Sequence, residues 1–511
     1  MAHTSSYDNS KPTAVHLEMG PEQGFEDKAD LSGQAATDEH GHSLLHFDPA
    51  AERRLVRKID LYIVPTVAML YLFCFIDRAN IGNARLAGFE KDLHLTGLDY
   101  NKVLSVFYIS YIIFEIPSTV ACKILGPGWF LPGTALGFGI LTVAFAFVRD
   151  IQTACAVRFL LGMFEAGMLP GIAYYMSRWY RRSELAFRLA LYVMMAPLGG
   201  AFGGLLASAI LRLDSFGSVH TWKMIFAIEG IVTIGLALLS FVTLTDRPET
   251  ARWLSHEEKL LAINRLKSER VGTTEVLDRM DTKKVLRGIL NPVVLATSWV
   301  FLLACITVQG LSFFAPTIIR TIYPNATVVH QQLLTVPPFV LGATAILVVN
   351  FTSWKTDKRN IYMGVSALPV IVGYIMFLAS TNAKVRYAAV FIIATGAFNS
   401  GALCNAQVAA NVVSDTARSS AIGTNVMFGN IGGIISTWAF LPGDKPNYPI
   451  GNGLNLAAQS LILITCVGMA LWMTMDNKRR QRKDVAAELS GLSHEKIVDL
   501  DWRHPGFEWR P

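Results

Sequence analysis

Apolar runs of about twenty residues recur along almost the whole chain, separated by short polar connectors. One such run, wound as an α-helix, crosses a hydrocarbon core of about 30 Å. No water satisfies peptide N–H and C=O groups inside a bilayer, so only helices and closed barrels cross it. The runs are continuous rather than alternating, and this selects helices. About twelve are expected. The first half places them at 59–82, 101–123, 130–148, 151–175, 188–211 and 222–245. The second half places them at 292–314, 334–354, 361–380, 385–409, 419–441 and 454–475. Charged residues make up 16% of the chain, where a soluble protein has roughly a quarter, and they gather at the ends and in the connectors. The expected fold is an all-α membrane protein of two six-helix bundles, and a soluble enzyme is excluded.

The remaining segments divide accordingly. Residues 1–55 are a polar tail expected to be disordered and cytoplasmic, without the apolar core and cleavage site of a secretory signal. A first bundle covers 56–245, a cytoplasmic connector 246–291, a second bundle 292–476 and a cytoplasmic tail 477–511. Within the connector, Ser255-His-Glu-Glu258 has capping-box spacing before an amphipathic run to about Arg270. A short surface helix that couples the bundles mechanically is expected there.

Basic residues set the orientation. Arg53, Arg54, Arg57 and Lys58 precede the first span, and Arg178, Arg181 and Arg182 follow the fourth. Lys355, Lys358 and Arg359 follow the eighth, and Lys478, Arg479, Arg480, Arg482 and Lys483 follow the twelfth. Alternating spans put all of them on one side, which the positive-inside bias makes cytoplasmic with both termini. The sequon Asn325-Ala-Thr327 then lies outside, while Asn350-Phe-Thr352 lies at an inner span end and stays unmodified. The net charge of +6 is read through this topology, because no basic run with interleaved aromatics suggests nucleic acid. His40, His42 and His46 are too loosely spaced for a metal, and the six cysteines form no CxxC pair. The cysteines read as small packing residues, and neither metal nor cofactor is expected. No GxxxxGK[ST] loop for an ATP-driven pump is present.

Ionised side chains inside spans are costly and by default mark an ion or substrate pathway. Arg158 and Glu165 lie seven residues apart in the fourth span, on nearly the same helix face. Burial disfavours the charged form of a carboxyl group, so Glu165 is a candidate reversible proton carrier. Asp77 and Arg78 are adjacent, point about 100° apart, and so need separate partners or water. The alternatives are an interfacial pair at the outer end of span one and a structural ion pair joining span four to a neighbour. Glu115 precedes Ile116-Pro117, where proline frees a carbonyl. It titrates, or it accepts hydrogen bonds from that backbone or from Tyr111. Glu229 reads as a brace between helices. Tyr111, Gln309, Asn399, Asn405, Asn425 and Asn430 are neutral candidates for ligand contact, or equally for helix-to-helix hydrogen bonding.

Two six-span halves around a polar centre imply a repeat-based transporter with its site between the halves near the midplane. Phe75-Ile-Asp77-Arg78-Ala-Asn80-Ile-Gly-Asn83 closes span one, and Tyr111-Ile-Ile-Phe114-Glu115-Ile-Pro117 lies in span two. Arg158-Phe-Leu-Leu-Gly162-Met-Phe-Glu165-Ala-Gly167 lies in span four. Trp179-Tyr-Arg181-Arg, Trp222-Lys-Met-Ile-Phe226-Ala-Ile-Glu229-Gly, Asp246-Arg-Pro248-Glu and the closing Leu500-Asp-Trp-Arg-His-Pro-Gly-Phe507 follow in order. From about Ala51 onward this set resembles the anion:cation symporter family of the major facilitator superfamily, in its fungal allantoate-permease branch. The resemblance implies the major facilitator fold and proton-coupled import of a small organic anion, a vitamin- or ureide-like carboxylate. It implies proton coupling at Asp77 and at the Arg158/Glu165 pair, a substrate carboxylate held by Arg78, and contact at Tyr111 and Asn430; Glu115 is a further proton-coupling candidate from its own position. Gln309 and Asn399 complete the expected substrate contacts. Ser353-Trp-Lys-Thr-Asp357-Lys-Arg359 is similar to the basic-acidic loop that major facilitators carry after spans two and eight. Its counterpart after span two, Lys123-Ile-Leu-Gly126-Pro-Gly128-Trp129, lacks the acid.

The expected partners are the substrate anion, protons and the bilayer, for a monomer in the plasma membrane. A proton-driven exporter of a hydrophobic or amphipathic metabolite is the alternative, and a non-transporting solute sensor a third. The run Ala196-Pro197-Leu-Gly199-Gly200 resembles a motif of drug/proton antiporters but is one residue short.

Overall fold

The computed structural model describes residues 48–213, 219–267, 282–413, 415–482 and 500–510, with Val485 and Glu488. His40, His42, His46 and the polar tail before residue 48, Arg270 and the neighbouring connector, and Lys483 lie outside the described residues.

Twelve transmembrane helices form two six-helix bundles. Spans one to six are Pro49–Leu86, Asp99–Leu125, Pro127–Phe145, Ile151–Ser177, Leu191–Ile210 and Trp222–Thr243. Spans seven to ten are Pro292–Ile322, Val328–Thr356, Arg359–Ala379 and Ala383–Ala410, and span twelve is Pro449–Arg480. These eleven are long and apolar enough to cross a membrane. Span eleven, Asp415–Thr437, matches them in length but is less apolar. It packs between span seven of its own bundle and span two of the other. A helix shielded by protein on both sides can carry Thr424, Asn425 and Asn430. The same polarity obscures its ends, and it starts four residues before the expected 419–441. Spans one, seven and twelve end later than expected, and span one also begins early at Pro49, where Asp48 accepts from Ala50 N at 2.9 Å. Asn291 accepts from Val293 N at 2.9 Å with Pro292 in the first turn, and Asp150 forms a capping box with Thr153.

Several spans expected to be continuous are interrupted. Span four breaks between Glu165 and Met168, span five at Met194, span eight between Leu333 and Val336, and span ten at Phe398 and Asn399. Irregular backbone at membrane depth is tolerated where protein or a cavity surrounds it. Three of these breaks face the same cavity, described below.

Within each bundle, spans pack in close pairs: two with four, three with six, one with five, nine with twelve. Gly199 lets span five approach span one, since an added Cβ would sit 2.6 Å from Phe75 Cβ. Around span six, Phe145 packs on Phe226 with centroids 4.7 Å apart, and Phe89 on Trp222 at 5.0 Å.

The halves meet firmly at one end, where span one finishes and span two begins. Gly82 abuts Phe313 O of span seven, and Trp438 Nε1 donates to Ser105 Oγ at 2.9 Å. At the opposite end, ion pairs among the described residues join parts of one half, or the first bundle to the connector. Arg188 clasps Asp60 at 2.6 Å and Lys58 meets Glu258 at 2.7 Å, while Arg480 pairs with Asp476 at 2.6 Å in the second bundle. The capping box at Ser255 and Glu258 is present, and it starts the connector helix His256–Lys267. That connector is strapped to the first bundle by Arg265, which donates to Glu184 at 2.9 Å, and by Trp253, which stacks on Tyr62 at 4.6 Å. The C-terminal segment is strapped to the second bundle through Trp509, whose indole donates to Asp476 at 2.7 Å.

Candidate functional site

A cavity of about 70 Å³ lies between the halves. Tyr71, Phe75, Arg78, Tyr111, Leu169 and Val193 contribute its first-bundle wall. Phe301, Gln309, Phe398, Asn405 and Asn430 contribute the second-bundle wall. Leu169, Val193 and Phe398 sit beside the helix breaks, so the interruptions shape the cavity itself.

Arg78 is the only ionised side chain among the described residues of that lining. It sits eight positions before the end of span one and is 5% exposed, so its guanidinium does not reach out to headgroups, and Asp77 is 4% exposed. Its guanidinium lies 4.9 Å from the Tyr111 ring centroid and 5.1 Å from that of Phe75. Arg78 Nε donates to Glu165 Oε2 at 2.7 Å. Cys74, one turn earlier on the same face, donates its thiol to that same oxygen at 3.1 Å. Sequence reading took Cys74 for a packing residue. Its spacing of four from Arg78 was the signal that it shares Arg78's face.

The adjacent Asp77 points away, as adjacent helical positions must. Thr142 Oγ1 of span three donates to Asp77 Oδ1 at 3.1 Å, and Asp77 Oδ2 is buried without a hydrogen-bond partner. Asp77 and Arg78 thus hold separate partners.

The expected Arg158–Glu165 contact is not made. Two turns separate the residues by about 10 Å along the axis, and Arg78 comes to Glu165 from the neighbouring helix instead. Arg158 lies over the rings of Phe145 at 4.7 Å and Phe226 at 5.8 Å, with Nε and Nη2 unpartnered. No hydrogen bond within 3.5 Å from the described residues reaches either carboxyl oxygen of Glu229, although the Asn80 side chain of span one lies beside it.

Glu115 takes its hydrogen bond from neither Tyr111 nor the backbone around Pro117. Asn430 Nδ2 donates to Glu115 Oε2 at 2.8 Å, directly across the two bundles. Two residues singled out separately therefore form one contact. Tyr111 and Gln309 line the cavity as expected, and Asn405 lines it beside Asn425, which donates to it at 2.8 Å. Asn399 does not line it. Its amide donates to Ser366 Oγ at 3.1 Å and to Thr395 O at 2.9 Å, so it ties helices together.

The loop after span two also resolves. Asp246, from beyond span six, seats its carboxylate against Gly126 and Gly128 and pairs with Arg178 at 3.4 Å. An acid absent from the loop's own sequence is supplied from elsewhere, and the two glycines leave the room it needs.

The profile of the Major Facilitator Superfamily matches residues 67–437. The high-affinity nicotinic acid transporter of Saccharomyces cerevisiae is 30% identical, over 86% of this chain and 81% of its own. The MFS transporter prlL of a fungal species is 32% identical, over 85% and 89%. A bacterial homologue of the human lysosomal transporter Spinster, in its inward-facing and unoccupied conformation, superposes with a TM-score of 0.60. That alignment covers 83% of this chain and 96% of the other at 16% identity. The chain belongs to the major facilitator superfamily and is a transporter rather than an enzyme.

Proposed function

We propose that this major facilitator imports a small organic anion with protons by alternating access, as a member of the anion:cation symporter family's allantoate-permease-like branch. The observation that carries the reading is the buried pair of Arg78 and Glu165 at the cavity wall. A guanidinium presents a planar fork suited to a carboxylate. Here one carboxylate, internal and exchangeable with a proton, already holds it.

An arriving substrate carboxylate competes for the same fork. If Glu165 takes a proton as the substrate binds, the guanidinium changes partner and the charge within the site is conserved. One anion and one proton enter together. Asp77, with one oxygen bonded to Thr142 and the other free, offers a second proton-holding group on the same helix. Coupling follows if the empty carrier, with Glu165 deprotonated, reorients far less readily than the loaded one. The closed junction at Gly82 and Trp438, with separate ion-pair networks at the opposite end, supports a carrier open toward the end that bears its termini. Positive-inside charge puts that end in the cytoplasm, and the plasma membrane is the membrane proposed. The nicotinic acid transporter among the relatives supports a carboxylate as substrate class.

The test is uptake of radiolabelled carboxylates into proteoliposomes under an inward proton gradient. Wild type is expected to accumulate one acid, Arg78→Ala to lose uptake, and Glu165→Gln to exchange the acid without accumulating it. Uptake indifferent to collapse of the gradient would remove the coupling.

The aromatic lining formed by Phe75, Phe301 and Phe398 favours a second reading, export of an apolar metabolite against the same gradient. That reading leaves transport intact in Arg78→Ala.

A further inference from the structure

The cavity's walls offer a ligand opposite hydrogen-bonding characters. Arg78, on the first-bundle side, has only donors. On the second-bundle side, the amide of Asn430 is pinned in one orientation. Its Nδ2 donates to Glu115 Oε2 at 2.8 Å and to Val426 O at 3.1 Å. An amide nitrogen carries two hydrogens, and these two acceptors engage both. The nitrogen position is thus assigned by the network around it. Turning the amide over would set its carbonyl against the Val426 carbonyl, whatever the protonation of Glu115. Asn430 lines the cavity, and its Oδ1 accepts no hydrogen bond from the described residues. On the same wall, Gln309 Oε1 is a buried acceptor without a donor.

Resting on the anion-carrier reading above, we infer that Asn430 is a specificity-determining residue: the substrate carries, beside its carboxylate, an N–H or O–H that donates to Asn430 Oδ1. Arg78 and Asn430 line the same cavity. An acid whose second polar group is only an acceptor, such as a ring nitrogen without hydrogen, would face the Asn430 carbonyl lone pair to lone pair. It would leave a desolvated acceptor unpaired. Rejection of an analogue lacking a required donor is the strongest form of discrimination such a site can make. Glu115 acts through Asn430 here, by holding its nitrogen away from the ligand.

The experiment is competition in proteoliposomes of the full chain, using carboxylates in matched pairs. Each pair is a hydroxy acid with its O-methyl ether, or a primary-amide acid with its methyl ester. The donor-bearing member is expected to half-saturate at a concentration at least about tenfold lower, the equivalent of one hydrogen bond of ~1.4 kcal/mol. Asn430→Leu should bring the two members of a pair together, chiefly by weakening the donor-bearing one. Glu115→Gln keeps a carbonyl to accept from Nδ2 and should keep the preference, whereas Glu115→Leu should reduce it. Equal affinity within every pair in wild type, with acids still taken up, overturns this inference and leaves the anion carrier standing. If neither member of any pair competes, the anion reading falls as well. Should Asn430→Leu fail to fold, the wild-type ratio decides.

Discussion

The two bundles share an architecture and bury polarity in different ways. The first encloses Asp77, Arg78, Glu115, Arg158, Glu165 and Glu229. The second, among its described spans, encloses amides and hydroxyls, with Arg386 the one buried charge, tied to Ser380 O and Asn447 at the start of span ten. Its amides bond to neutral neighbours, while Gln309, Asn360, Asn399, Gln407 and Asn425 each keep a buried amide oxygen without a partner. Thr307 donates to Asn455 at 2.8 Å, Gln459 donates to Thr307 at 2.9 Å, and Asn399 to Ser366 at 3.1 Å. An amide brings both donor and acceptor, so a cluster of amides can close on itself and stay fixed. A buried charge cannot close on itself. Oxygens of Asp77, Glu115, Glu165 and Glu229, and nitrogens of Arg158, are left over in the first bundle. A carboxyl with an unfilled oxygen can exchange a proton and an amide cannot, so the first bundle carries the proton chemistry and the second frames it.

The comparison breaks or sharpens at identifiable residues. The largest effect is expected for Arg78→Ala, which strands the Glu165 carboxyl. Uptake should fall at least about a hundredfold, and stability should drop by about 3–5 kcal/mol in thermal unfolding of the detergent-solubilised protein. Next comes Glu165→Gln. Accumulation driven by the gradient should fall at least about tenfold while exchange persists. In the second bundle, Asn455→Ala should cost only about 0.6–1.7 kcal/mol in the same unfolding assay, with coupling unchanged. If it proves as damaging as Arg78→Ala, the division between chemical and framing bundles is wrong.

Smaller effects test the edges. Cys74→Ala should change the pH profile of uptake by removing one of two donors to Glu165 Oε2, and Cys74→Ser should restore it, because a hydroxyl replaces the donor. Smallest of all is Glu258→Gln at the connector helix. Burial works against the Glu258 carboxylate, but Lys58 and the Ser255 backbone N–H hold it below the usual glutamate range. A depressed folded-state value means its contribution is present above the ordinary glutamate pKa and disappears as pH falls through the lowered one. The half-exposed pair is worth at most about 1 kcal/mol, so the variant should lose only a slight acid dependence of its melting temperature.

Much of this molecule was legible before any fold was seen. The apolar runs located all twelve spans, because desolvated backbone leaves a chain no alternative to helix at that length. The spacing at Ser255 and Glu258 foretold a helix start, since a capping box is a local structure. The angle between Asp77 and Arg78 foretold separate partners for the same reason. Span eleven was the hardest to place, because protein rather than lipid surrounds it and its polarity hides its ends. Helix breaks at Met194 and Asn399 left no clear local signal, as the cavity that tolerates them is built by other spans.

What lay beyond the sequence was who meets whom. Glu165 was found by its depth, yet its partner proved to be Arg78 from span one rather than Arg158 on its own helix. Asn430 and Glu115, 315 positions apart, were chosen independently and turned out to be one contact. The acid missing after span two arrived from Asp246. Sequence by itself determined the helices, their number and the set of side chains too polar to lie in lipid, because each follows from hydration and local geometry. Only the tertiary structure decided their pairing, because a buried charge or amide takes whichever complementary group the packing of distant helices brings within 3 Å.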